Sequence, residues 1–278
     1  MKKNYIRSLA IILINSLTII LLMIFLGRKM ESATLMEWGI LASLGAILQT
    51  VSILLFYKFV DKKPLDTLDL KMNKRDLLFS VFSITLTICL FFIYLVAASK
   101  LDHFSIEWKT EHFSRISFYL MLLVVGFGWF NAAFTEELLY RWYLVSNLKH
   151  LSTMKLYLAT GLFFMLSHLF KGDFNPFYLL FLLVTSCSLL YVYLRTGGKL
   201  LPVTFAHMIQ NLTINHLVGS SDLAILHFET EPSQVHLLAL TILYNLLIIT
   251  LATVMYRKSE GMQQNTNIHV HGNSKIII

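Results

Sequence analysis

Eight runs of predominantly apolar residues, most close to the ~20 residues needed to cross a hydrocarbon core, organise this chain: 6–26, 35–57, 77–98, 116–147, 156–170, 176–194, 200–218 and 235–256. Runs of that length are the mark of membrane-spanning helices. The expected fold class is therefore all-α, a polytopic membrane protein of about eight transmembrane helices. The first run follows Lys2, Lys3 and Arg7 in the manner of a secretory signal. Its apolar core is too long for one, and Leu26-Gly27-Arg28-Lys29-Met30 offers no small-residue cleavage site, so it reads as a retained helix.

Charge is scarce. Of 278 residues 56% are apolar and 14% charged, against roughly 25% charged in a soluble domain. A solvated globule, a collagen, a coiled coil and a disordered chain are excluded as the main architecture. One transmembrane domain is expected over 1–258, followed by a polar, disordered cytoplasmic tail over 259–278. The formal charge of +7 has to be read loop by loop. With eight crossings, 17 of the 23 basic residues fall on the side shared by the termini and 6 on the other, while the loop at 219–234 has none. Basic residues accumulate on the cytoplasmic side, so a multi-pass protein of the cell membrane with both termini cytoplasmic is expected. Lipid is then a partner, nucleic acid is not, and the oligomeric state stays open.

The two cysteines, Cys89 and Cys187, sit inside apolar runs and read as packing residues. Trp38, Trp108, Trp129 and Trp142 mostly read as interfacial anchors. His269 and His271 in the tail read as idle, and no internal repeat is evident.

The fourth run departs from this pattern. Asn131-Ala132-Ala133-Phe134-Thr135-Glu136-Glu137-Leu138-Leu139-Tyr140-Arg141-Trp142 sets two carboxylates and a guanidinium in a stretch otherwise apolar enough to span. Insertion scales charge about 2.5 to 3.5 kcal/mol per such group at a helix centre, so three unpaired would cost on the order of 8 to 10 kcal/mol. Positions four apart share a helix face, so Glu137 and Arg141 are placed to pair while Glu136 points elsewhere. The bland alternative makes the motif the cytoplasmic end of the helix, with Arg141 snorkelling to water.

Two further runs add partners. The fifth carries Phe164-Met165-Leu166-Ser167-His168 and the seventh Ala206-His207-Met208-Ile209-Gln210-Asn211. His207 and Asn211 are one helical turn apart, an imidazole and an amide able to hold one oxygen together. Ionisable groups inside spans are functional candidates by default. A carboxylate among apolar helices is placed to take a proton from water and return it to a leaving amine. On that hypothesis Glu136 is the general base, His168 holds the attacking water, and His207 and Asn211 donate to the oxyanion, with Glu137 and Arg141 bracing the base. Neither a Gly-x-Ser-x-Gly elbow nor a His-Glu-x-x-His motif occurs. Zinc held by Glu136, His168 and His207 is the runner-up, disfavoured because Asn is a poor zinc ligand. No cofactor is otherwise called for.

Glu136-Glu137-x-x-x-Arg141, Phe164-x-x-x-His168 and His207-x-x-x-Asn211, in this order on late spans, resemble the signature of the CAAX protease and bacteriocin-processing family of intramembrane glutamic endopeptidases. The linking Arg195-Thr196-Gly197-Gly198-Lys199-Leu200-Leu201-Pro202 resembles that family's lead into its histidine helix. The resemblance covers a core of about 115–219. It implies an intramembrane endopeptidase with its active site inside the helix bundle: Glu136 as base, His168 assisting, His207 and Asn211 as the oxyanion site, and Glu137, Arg141 and Phe164 in support. It further implies a peptide or membrane-anchored protein as substrate, with roles in bacterial peptide maturation or bacteriocin self-immunity. A non-catalytic immunity or scaffold protein that keeps the motif is the competing class. A proton-coupled transporter is a third, opposed by the missing repeats.

Overall fold

The computed structural model describes residues 2–31, 33–102, 104–169, 175–228 and 232–257. The tail with its histidines, Lys171 and Glu229 lie outside the described residues, and so do the expectations placed on them.

The helices are α1 (Lys2–Glu31), α2 (Leu35–Leu55), α3 (Lys74–Asp102), α4 (Ile116–Glu137), α5 (Leu144–Leu148), α6 (Thr153–His168), α7 (Pro176–Arg195), α8 (Leu200–Leu212) and α9 (Gln234–Met255). A π-helical segment, Leu138–Tyr143, joins α4 to α5 without a break, so the fourth run is one rod over Ile116–Leu148. Further π-helical segments extend α2 over Phe56–Val60 and α8 over Thr213–Leu217. Local chemistry marks where rods begin. Thr34 and Glu37 form a reciprocal capping box at α2. Asn73 and Asp76 exchange side-chain to backbone bonds of 3.0 and 2.8 Å at α3, and Asn175 with Pro176 opens α7. Gly197 and Gly198 take φ of 78° and 87° in the turn after α7, a region that suits glycine.

Each apolar run has become a helical rod, yet among the described residues only six rods are long and apolar enough to cross a membrane: α1, α2, α3, the α4–α5 rod, α7 and α9. The chain is an all-α protein of the multi-pass kind, and the described residues show six such rods rather than the expected eight. α6 has 16 residues, about 24 Å, and α8 has 13 before its π-helical segment. The two short rods are the ones that carry His168, His207 and Asn211.

The closest helix pair is α2 with α4. A Cβ on Gly128 would come within 3.0 Å of the Gly39 carbonyl oxygen, and one on Gly39 within 3.0 Å of Val124, so only glycine permits this approach. α8 packs between α3, α4 and α7, and α9 runs along α7 and α3. Opposite the end where α1 starts, a small sheet closes the bundle. β1 (Ile106–Trp108), β2 (Val218–Gly219) and β3 (Leu226–Phe228) lie in the order β1-β3-β2, antiparallel then parallel. At the other end, buried Asp76 accepts from Lys199 and, at 2.9 Å, from the Tyr256 hydroxyl, tying α3 to the α7–α8 turn and the end of α9.

Two packing expectations change. Trp142 is buried rather than interfacial: it lies 4.3 Å from the Tyr57 ring and donates to the Thr67 carbonyl at 3.2 Å. Cys89 is exposed on α3 rather than packed, whereas Cys187 is half-buried on α7.

Candidate active site

Glu136 and Glu137 are the last two residues of α4, and the chain turns π-helical immediately after them. Such a turn is frequent at functional sites. Here all six of its residues are buried, Arg141 among them.

The adjacent acids have opposite surroundings. Glu137 is fully buried: its Oε1 is hydrogen-bonded to His207 Nδ1 at 2.7 Å, and its Oε2 forms an ion pair with Arg141, 3.1 Å from Nε. Arg141 is also fully buried. Its Nη2 donates toward the Ser186 carbonyl at 3.3 Å, and its guanidinium lies 5.0 Å above the Phe164 ring. A buried charge of this kind persists only when paired and hydrogen-bonded. The snorkelling alternative for Arg141 is therefore overturned, since its head group reaches α7 rather than water.

Glu136 keeps 25% of its side chain accessible. Its two oxygens face two different rods: Oε1 is 3.6 Å from His168 Nε2 and Oε2 is 3.7 Å from His207 Nε2. Each distance exceeds a direct hydrogen bond and suits groups that share a third atom. The three side chains converge from α4, α6 and α8 at the level where α6 ends.

The ring tautomers follow from the other nitrogens. His168 Nδ1 lies 2.8 Å from the Phe164 carbonyl oxygen, which can only accept, so Nδ1 carries the proton and neutral His168 presents an Nε2 lone pair to the site. The Ser167 hydroxyl donates to the same carbonyl at 2.8 Å. His207 Nδ1 donates to Oε1 of Glu137, the carboxylate whose other oxygen faces Arg141, so Nε2 is the atom turned to Glu136. Phe164 joins these groups: its ring centroid is 4.6 Å from that of His168, 6.1 Å from that of His207 and 5.1 Å from that of Tyr140.

One expected role shifts. Glu137 and Arg141, expected to brace Glu136, are tied through the 2.7 Å bond to His207. Asn211 lies half-buried one turn beyond His207, and its side-chain amide has no hydrogen bond among the described residues. Ser186, which holds Arg141, and Tyr244, whose hydroxyl donates to the Ala206 carbonyl at 2.7 Å beside His207, escaped the sequence reading. Hydroxyls inside spans are too common to single out. Among the described residues no group of three His, Cys, Asp or Glu side chains is arranged to hold a metal ion.

Residues 116–213 match the family described as type II CAAX prenyl endopeptidase Rce1-like. The match spans α4 to the end of α8 and contains every residue of the cluster. The matched family is one of proteases, and the match lies within a chain that has six rods long and apolar enough to span a membrane among the described residues. Neither a curated protein nor a solved structure matches the chain.

Proposed function

We propose, with the Rce1-like match over residues 116–213 as premise, that this chain is an intramembrane endopeptidase in which Glu136 activates water. The observation that carries the reading is the division of labour between neighbouring carboxylates. Glu137 is spent on His207 and Arg141, while Glu136 is accessible and flanked by two Nε2 atoms.

A water between Glu136 and His168 gives one proton to the carboxylate and points the other at the Nε2 lone pair, leaving an oxygen lone pair to attack the scissile carbonyl. The carbonyl becomes an oxyanion. With a second proton on Nε2, His207 donates to it; Glu136 is by then neutral, and the positive charges of His207 and Arg141 offset those of Glu137 and the oxyanion. Asn211, on the same face, supplies a neutral amide donor. Collapse of the tetrahedral adduct breaks the C–N bond, and Glu136 returns its proton to the departing amine. The substrate class is a peptide or membrane-anchored protein cut near the bilayer, in peptide maturation or bacteriocin self-immunity.

Glu136→Gln is the test. Membranes of cells carrying wild type or the variant at equal levels are compared for peptide products. Glu136→Gln is expected to lower product formation by roughly 10²–10⁴-fold, the range for a positioned base, and His207→Ala by roughly 10²–10³-fold, the range for an oxyanion donor. Full product formation by Glu136→Gln overturns the reading.

A further inference from the structure

Beyond the catalytic cluster, the face of α8 that bears His207 and Asn211 continues through Asn215, whose amide donates to the Asn211 carbonyl at 2.8 Å. Five residues at the α-helical 1.5 Å and three in the tighter-rising π-helical segment put Asn215 roughly 11 Å along the axis from His207. A cavity of about 280 Å³ opens there, at the sheet end of the bundle. Leu95 of α3, Ile214 of α8, Phe228 of β3 and Leu240 of α9 form its apolar wall, and Asn215 and Ser220 form a polar edge. Leu240 is fully buried and Ser220 is exposed, so the cavity has a closed floor and an open rim.

We propose that this cavity is a substrate subsite, taking one bulky apolar side chain of an extended peptide three or four residues from the bond that is cut. The proposal rests on the endopeptidase reading above. The span fits: a strand advances about 3.3 Å per residue, so three or four residues cover roughly 11 Å. The volume fits too, because it lies below the roughly 300–1,000 Å³ of sites that enclose whole small molecules. Asn211 and Asn215 stand between cluster and cavity with amide groups that match a peptide backbone, which in an apolar bundle needs partners for every N–H and C=O.

The test uses the full chain in liposomes and fluorescence-quenched ten-residue peptides in which each position is scanned through Gly, Leu and Phe. In parallel, peptides carrying a benzophenone side chain are photo-crosslinked to Glu136→Gln protein and the adducts mapped. Wild type is expected to prefer Leu or Phe over Gly at least tenfold at one position three or four residues from the cut. Ile214→Trp inside the cavity and Ser220→Trp at its rim are expected to reduce that preference from at least tenfold to under about twofold. Crosslinks are expected within 214–221 and 237–240. Cleavage without such a preference, or crosslinks falling elsewhere while cleavage proceeds, overturns the subsite. Crosslinks in the cavity with no cleavage by wild type uphold the subsite and overturn the hydrolase; neither crosslinks nor cleavage overturns both.

Discussion

The outer rods and the inner rod α8 follow different rules. On α1, α2 and α3 large apolar side chains such as Leu17, Ile40 and Phe82 point outward, and few residues of each rod are buried. α8 is shorter, lies against α3, α4 and α7, and buries Thr204, His207 and Gln210 among its leucines and valine. A rod that meets lipid has to match it in length and polarity. A rod wrapped by other rods is released from both demands, and that release is what lets it carry an imidazole and amides. The acids enter this interior from a long rod, at the point where its helix turns π.

The contrast can be broken or sharpened by substitution. The largest effect on stability is expected inside: Arg141→Ala leaves Glu137 buried with one partner fewer, and removal of one member of such a pair costs about 3–5 kcal/mol. Thermal unfolding of the purified protein in detergent should show it, and an unshifted Tm would mean that water reaches Glu137. Next is the contact between outer rods. Gly128→Leu forces a side chain against the Gly39 backbone and should cost about 1–3 kcal/mol, the usual range for overpacking, seen as a lower Tm with the catalytic groups untouched. The smallest effect belongs to the outward face, where Leu123 is 71% exposed. Leu123→Ala should stay within about 0.5 kcal/mol, and a larger loss would reveal a partner covering that surface.

Part of this was readable in advance. Run lengths give the rods because length and apolarity are properties of the chain itself. The Glu137–Arg141 pair follows from helical spacing alone. The 2.7 Å bond from His207 to Glu137 was not readable, since it depends on how α4 and α8 cross. Nor was the π-helical segment at Leu138–Tyr143, which is a local change of hydrogen bonding with no compositional mark. The short sheet was missed for a similar reason: three residues at Leu226–Phe228 are too few for alternation to register. The count of eight spans took every apolar run as lipid-facing, although burial against other rods produces the same apolarity in α8.

The two imidazoles are held by unlike anchors. His168 is fixed by the main-chain oxygen of Phe164, which survives any replacement at that position, so α6 tolerates sequence drift without losing the ring's orientation. His207 depends on a side chain, and Glu137 in turn depends on Arg141. Damage to that second line of support travels: one altered codon at 137 or 141 frees an imidazole on another rod, so the apparatus has a robust half and a brittle half.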